Sequence, residues 1–123
     1  MLISFLQHNE METPVVKVEL ALDIETQQKG LIARSPLPQG MLFVFPDSKL
    51  RKFHMRGVLH SLDMIFLNDE QEIVHITENA LPDQDENIEP SAPAQYVLEL
   101  PGGRAYELRL ALGDRAFKVE EDD

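Results

Sequence analysis

The chain contains no cysteine among its 123 residues. That excludes a disulfide framework and a thiolate metal site, and it is compatible with the cytoplasm without requiring it. Long apolar runs are missing as well: none approaches the roughly 20 residues that a membrane-spanning helix needs. The apolar start Met1-Leu2-Ile3-Ser4-Phe5-Leu6 has no basic segment before it and stops at Gln7-His8-Asn9-Glu10, so it does not read as a signal peptide. The chain as given is expected in the cytoplasm, with a mature exported form as the other case if a leader has been removed. Basic residues are scarce too, 11 against 22 acidic, for a net charge of −11. The imbalance is uneven: Met1 to His60 holds seven basic and six acidic residues, and Ser61 to Asp123 four and sixteen. A field of that sign repels polyphosphate and argues against general nucleic-acid binding.

Motifs that announce chemistry are also absent. No Ser-His-Asp order with a nucleophile elbow occurs, and Gly102-Gly103 fits neither phosphate-loop pattern. Asp83-x-Asp85-Glu86 lacks the central glycine of a calcium loop and reads as a solvated charge run. His54, His60 and His75, with Asp63 as an oxygen ligand, are donors that suit Zn²⁺ or Fe²⁺ if adjacent strands bring them together. No H-x-x-x-H spacing supports that, so neither a metal nor another cofactor is expected.

What is present is organised around Gly40 to Leu67. Three apolar runs, Met41 to Phe45, Phe53 to Val58 and Leu62 to Leu67, are separated by Pro46-Asp47-Ser48-Lys49 and Leu59-His60-Ser61. Runs this short, rich in Phe, Ile, Val and Met and bounded by turn formers, predict strands and the nucleus of the core. Before them, Val15 to Leu22 alternates, with Val16, Val18, Leu20 and Leu22 on one face, and reads as one half-buried strand. Asp23 is placed to cap a helix with an apolar stripe of Ile24, Leu31 and Ile32. Gly30 falls inside that helix at a cost of about 1 kcal/mol against Ala, which implies close approach of another backbone. Glu72 to Thr77, Tyr96 to Leu100 and Arg115 to Val119 read as further strands, and Arg104 to Leu110 as a short helix. The connection from Leu81 to Pro93, with three prolines and four acids, is long for a compact domain, and such loops are often functional or mobile.

The expected fold is mainly β (α+β). It is a compact, largely antiparallel β-barrel or curled sheet, with one covering helix after the first strand and a short helix near the C-terminus. Residues 1–14 are expected to form a loose arm, whose apolar start could fold onto a sheet edge or a neighbouring subunit. Residues 15–119 form a single globular domain, and residues 120–123 an acidic tail.

These segments resemble a widespread prokaryotic family catalogued as domain of unknown function number 192. The resemblance rests on Gly30-Leu31-Ile32-Ala33-Arg34, on Gly40-Met41-Leu42-Phe43-Val44-Phe45 and on Ser61-Leu62-Asp63-Met64-Ile65-Phe66. It continues through Ile73-Val74 to Ala80-Leu81-Pro82, Tyr96-Val97-Leu98-Glu99-Leu100-Pro101-Gly102 and Gly113-Asp114. The family's aromatic-Trp-Met-Lys-Asn-Thr signature reads here Phe53-His54-Met55-Arg56-Gly57-Val58, so His54 replaces Trp and Arg56-Gly57-Val58 replace Lys-Asn-Thr. The resemblance spans about Val15 to Val119 and implies a common fold. It implies no activity, because the family has none agreed.

Candidate site residues are polar groups set beside apolar runs. Asp63, flanked by Leu62, Met64, Ile65 and Phe66, needs a charged or multiply hydrogen-bonded partner if it is buried. Arg34 could supply a bidentate one, as a clamp joining helix to sheet. Arg56, with Lys49, Arg51 and Lys52, forms a basic rim able to hold one anion, and His54 and His60 lie nearby in sequence. The favoured reading is a small binding or accessory domain, without catalysis, for an anionic small molecule or a protein partner. Its site would hold Arg34, Arg56, Asp63, His60 and His54, with the acidic loop as a flap. The alternative is an enzyme using Asp63 with His54, His60 or Arg56 in acid–base work. A third reading is a structural piece, a monomer or small homo-oligomer, paired through the Met1 to Leu6 arm.

Overall fold

The computed structural model describes residues 1–121, so residues 122 and 123 of the expected acidic tail lie outside it. Eight strands and two short helices follow in order: β1 (Leu2–Leu6), β2 (Val16–Lys17), β3 (Glu19–Ala21), α1 (Ile24–Lys29), β4 (Met41–Lys49), β5 (Leu62–Leu67), β6 (Ile73–Ala80), β7 (Ala94–Pro101), α2 (Arg104–Glu107) and β8 (Arg115–Val119). They form two sheets, a small one in the order β2-β1-β8 and a large one in the order β3-β4-β7-β5-β6. Every pairing is antiparallel except the short parallel contact of β3 with β4.

The large sheet is covered on both faces, and strand alternation divides its side chains between two cores. Ile65, Leu67, Leu98 and Leu100 meet Ile3, Phe5 and Val16 of the small sheet. Leu62, Met64, Phe66, Val97 and Phe43 face the other way, under Leu31, Met55 and Val58. All six residues of β5 are therefore buried, which explains why five of them are apolar, Asp63 being the exception.

No closed barrel forms among the described residues. The small sheet packs face-on against the large one instead of continuing its ladder, so β2, β8, β3 and β6 remain sheet edges. The sheets are joined where the chain passes from β2 to β3, and by an isolated bridge between Glu72 and Arg115. The segment Val15 to Leu22 is accordingly two strands rather than one. Its burial pattern flips at the crossing: Val16, Val18 and Ala21 are buried, whereas Leu20 and Leu22 are exposed. The expected loose arm is also corrected, because β1 is the middle strand of the small sheet and Phe5 is fully buried.

The run Phe53 to Val58 is not a strand. Only Phe53 makes a β-bridge, to Ile88, and the chain then turns through Gly57 at φ +75° with Val58 N–H donating to Met55 O. Its apolar residues are plugs: Met55 and Val58 drop into the second core from above the sheet. The long acidic connection is fastened to this turn, since Asp83 accepts the Gly57 N–H at 2.9 Å and donates its own N–H to Val58 O.

Candidate functional site

β7 is the central strand of the large sheet, and its alternation decides where the site lies. Leu98 and Leu100 point into the inter-sheet core, which sends Val97 and the acid between them, Glu99, to the opposite face. Glu99 is paired in register with Met41 of β4 and Met64 of β5. It is 4% exposed and lines a cleft of about 490 Å³ between this face and the roof formed by α1, its following turn and the Phe53 segment. Burial pushes its carboxyl up from the ordinary 4.5 to about 8. Among the described residues no cation or hydrogen-bond donor engages that carboxyl, so desolvation acts unopposed.

Aromatic rings make the walls. Phe43 stands edge-on to Phe53 with centroids 5.5 Å apart and lies 6.4 Å from Phe45 in a stacked pair. The roof is held by Gln27, whose amide donates to Ala21 O at 3.0 Å and Val44 O at 2.9 Å. Asp23 caps α1 by accepting the Thr26 N–H at 2.7 Å. Gly30 ends this helix rather than sitting within it. Its φ of +47° is left-handed, and a Cβ there would lie 3.3 Å from the Phe43 ring, so glycine keeps the cleft open at its aromatic wall.

The mouth is basic. Lys29, Arg51, Lys52 and His54 line it. Arg51 lies 3.9 Å over the Phe45 ring, while its Nε donates to Ala94 O at 3.0 Å and its terminal nitrogens reach Asp47, so it is a fixed charge. Lys52 reaches Glu89 at 3.4 Å with both side chains largely in water, a weak pair that an anion can displace. Lys49 is bound to Asp47 outside the cleft.

Of the residues singled out from the sequence, the segments carrying Arg34, Arg56 and His60 adjoin, with Ala33 N–H donating to Gly57 O at 2.9 Å and His60 reaching Ser35, whereas Asp63 takes its partners elsewhere. His54 lines the cleft. Arg56 lies on the turn that follows it and donates to Asp85 O at 3.4 Å, and His60 meets Ser35 at 3.1 Å. His75 meets Thr77 at 3.2 Å, and no group of three or more metal-ligating side chains forms among the described residues. The expected Arg34–Asp63 clamp does not form. Arg34 makes a bidentate pair with Glu19 at 3.0 and 2.8 Å, holding that carboxyl below its usual range. Asp63 is fully buried and accepts backbone N–H groups, from Asn79 at 2.8 Å and Ala105 at 2.8 Å. The second bond explains its position, because Gly103 at the start of α2 has no side chain to cap the helix and Asp63 supplies the acceptor from β5.

Glu99 is the residue that sequence reasoning missed. The signal was available: an acid inside the apolar run Tyr96-Val97-Leu98-Glu99-Leu100, sharing a face with Val97 rather than with solvent.

Comparison with known proteins agrees with this architecture. A crystal structure of a proposed transcription regulator from Sinorhizobium meliloti 1021 is 30% identical, with a TM-score of 0.89 over 94% of this chain and 91% of that one. A protein of unknown function from Novosphingobium aromaticivorans DSM 12444 is 28% identical, with a TM-score of 0.88 over 96% and 84%. A UPF0127 protein from Thermococcus sibiricus (strain DSM 12597 / MM 739) is 28% identical over 109 residues, 86% of this chain and 69% of the relative. The model of the DUF192 family, described as an uncharacterized ACR, matches residues 6–117. With nearly the whole domain inside that match, the chain belongs to the DUF192 family.

Proposed function

We propose that this chain is a small-molecule-binding domain without catalysis, that its site is the Glu99 cleft, and that its ligand is an organic anion. The observation that carries this reading is a carboxyl left without a partner at the floor of an open, aromatic-walled cleft. A fold that needs an acid only for stability surrounds it with donors, as this one does for Asp63. An acid desolvated against open space is a feature of sites. The anion is read from the mouth, where Lys29, Arg51 and Lys52 are concentrated on a protein of net charge −11. A local positive funnel on an acidic surface admits small anions while repelling polyanions.

The acid–base alternative draws its support from the same cleft, where His54 stands on the wall and Glu99 on the floor. Asp63 is a poor candidate for that chemistry, since both its oxygens hold backbone N–H groups and it is shut from solvent. Binding is tested by amide chemical-shift mapping with a panel of aromatic and branched carboxylates. Shifts centred on Gly30, Leu31, Phe53 and Glu99, weakened in a Lys29→Glu/Lys52→Glu variant, are expected. Shifts elsewhere, or none with any acid in the panel, would overturn the proposal.

A further inference from the structure

We infer that the ligand of this cleft is a zwitterion, whose protonated amine or amidine is seated against Glu99 and whose anionic group stays at the Lys29–Lys52 mouth. The inference rests on the binding reading above and adds the chemistry of the buried end.

Three observations lead to it. First, burial grades the lining of the cleft: Glu99 and Phe43 are buried, Phe45, Phe53 and Arg51 are half-buried, and Lys29 and Lys52 are exposed. A simple carboxylate answers only the rim. Second, among the described residues no cation neutralises the Glu99 carboxyl. Arg51 is committed to Asp47, Ala94 and the face of Phe45, and Lys52 turns outward to Glu89. Third, the walls suit a cation. Phe43, Phe45 and Phe53 present ring faces or edges around the space, and Phe45 already takes a guanidinium at 3.9 Å on one face. Aromatic faces attract cations most strongly where water is excluded.

The two ends of such a ligand depend on one another. A bare amine meets the positive rim before it reaches the acid. A bare carboxylate leaves the acid unpaired. The dipolar molecule enters with its axis along the field of the cleft, amine first.

The protons also balance. In the empty protein at pH 7 the Glu99 carboxyl keeps its proton, because burial raises its pKa to about 8. When an ammonium arrives carrying its three hydrogens, the carboxyl O–H breaks, its proton leaves to the buffer, and a carboxylate–ammonium pair remains. Binding at pH 7 therefore releases about one proton per ligand.

The test uses three benzene series, with linkers of one, two and three methylenes: (aminoalkyl)benzoates, the matching alkylbenzoates, and the matching arylalkylamines. Titration calorimetry in two buffers of different ionisation enthalpy gives affinity and proton release together. An (aminoalkyl)benzoate is expected to bind at least about tenfold tighter than both of its one-ended analogues and to release about one proton, with the preference for the amine lost in Glu99→Gln. An alkylbenzoate that binds in the cleft as tightly as its zwitterion overturns this inference and leaves the anion reading standing. An arylalkylamine that binds as tightly as the zwitterion removes the rim anion and overturns both. Absence of binding at the cleft across all three series also overturns both.

Discussion

The carboxylate of Asp63 on β5 accepts the backbone N–H of Ala105 at 2.8 Å, joining two residues 42 positions apart and capping a helix that starts on glycine. Its other oxygen holds Asn79 N–H at the far end of β6, also at 2.8 Å. Asp63→Ala leaves two N–H groups without acceptors, one of them fully enclosed, and is expected to cost about 3–5 kcal/mol. Asp63→Asn keeps one acceptor and is expected to lose about half as much. Urea denaturation of the three proteins checks the order, and an alanine variant as stable as the parent would contradict it.

Arg34 provides the contrast. Its pair with Glu19 is bidentate, but the two side chains are 36% and 48% exposed. Arg34→Ala is therefore expected to change stability by less than about 1 kcal/mol, with the difference shrinking as salt is added. A loss of several kcal/mol would mean that Arg34 has a buried partner after all.

Gly30→Ala tests the aromatic wall. Alanine at φ +47° is strained, and its Cβ meets the Phe43 ring at 3.3 Å. The expected cost is about 1–3 kcal/mol. Phe43 and Phe53 ring resonances should move, while those of Phe5, in the other core, stay in place. Unchanged stability with unmoved rings would show that Gly30 does not close on the Phe43 ring.

Glu99→Gln should remove the fall in stability between about pH 4.5 and 8. A carboxyl raised from 4.5 to about 8 holds in the folded state a proton that the unfolded chain releases. Its contribution is complete below about pH 4.5 and is lost as pH rises through about 8. Within that window the parent loses about 1.4 kcal/mol per pH unit relative to the glutamine variant. Glu19, Asp23 and Asp47 have lowered pKa values, so their contributions fade only as pH falls, outside this window. Parallel stability curves for the two proteins from pH 5 to 8 would contradict the assignment.

Legibility in the sequence followed the locality of the cause. The apolar runs Tyr96 to Leu100 and Leu62 to Leu67, each interrupted by one acid, locate β7 and β5, because burial on both faces writes itself into neighbouring residues. Phe53 to Val58 misleads because a plug needs the same apolar residues as a strand, and only distant packing separates the two. The small sheet was hidden for a similar reason. β1 and β8 lie at opposite ends of the chain, and nothing near Met1 to Leu6 announces its partner. The site failed in a more instructive way. Asp63 drew notice as an acid amid apolar residues, yet Glu99 has the same setting, and the difference between them is whether backbone donors wait in the third dimension. Arg34 and Arg56 stand out in the sequence as polar groups beside apolar runs, and their segments do touch, through Ala33 and Gly57; what sequence does not show is that Arg34 turns to Glu19 instead of Asp63.

The most direct measurement is the titration of Glu99 itself, followed by the ¹³C shift of its carboxyl with Glu99→Gln used for assignment. A midpoint near 8, far above the other carboxylates, is the result this structure predicts. A midpoint near the ordinary 4.5 would show that the carboxyl is hydrated or already paired, and the cleft would lose the unpartnered acid on which its function was read.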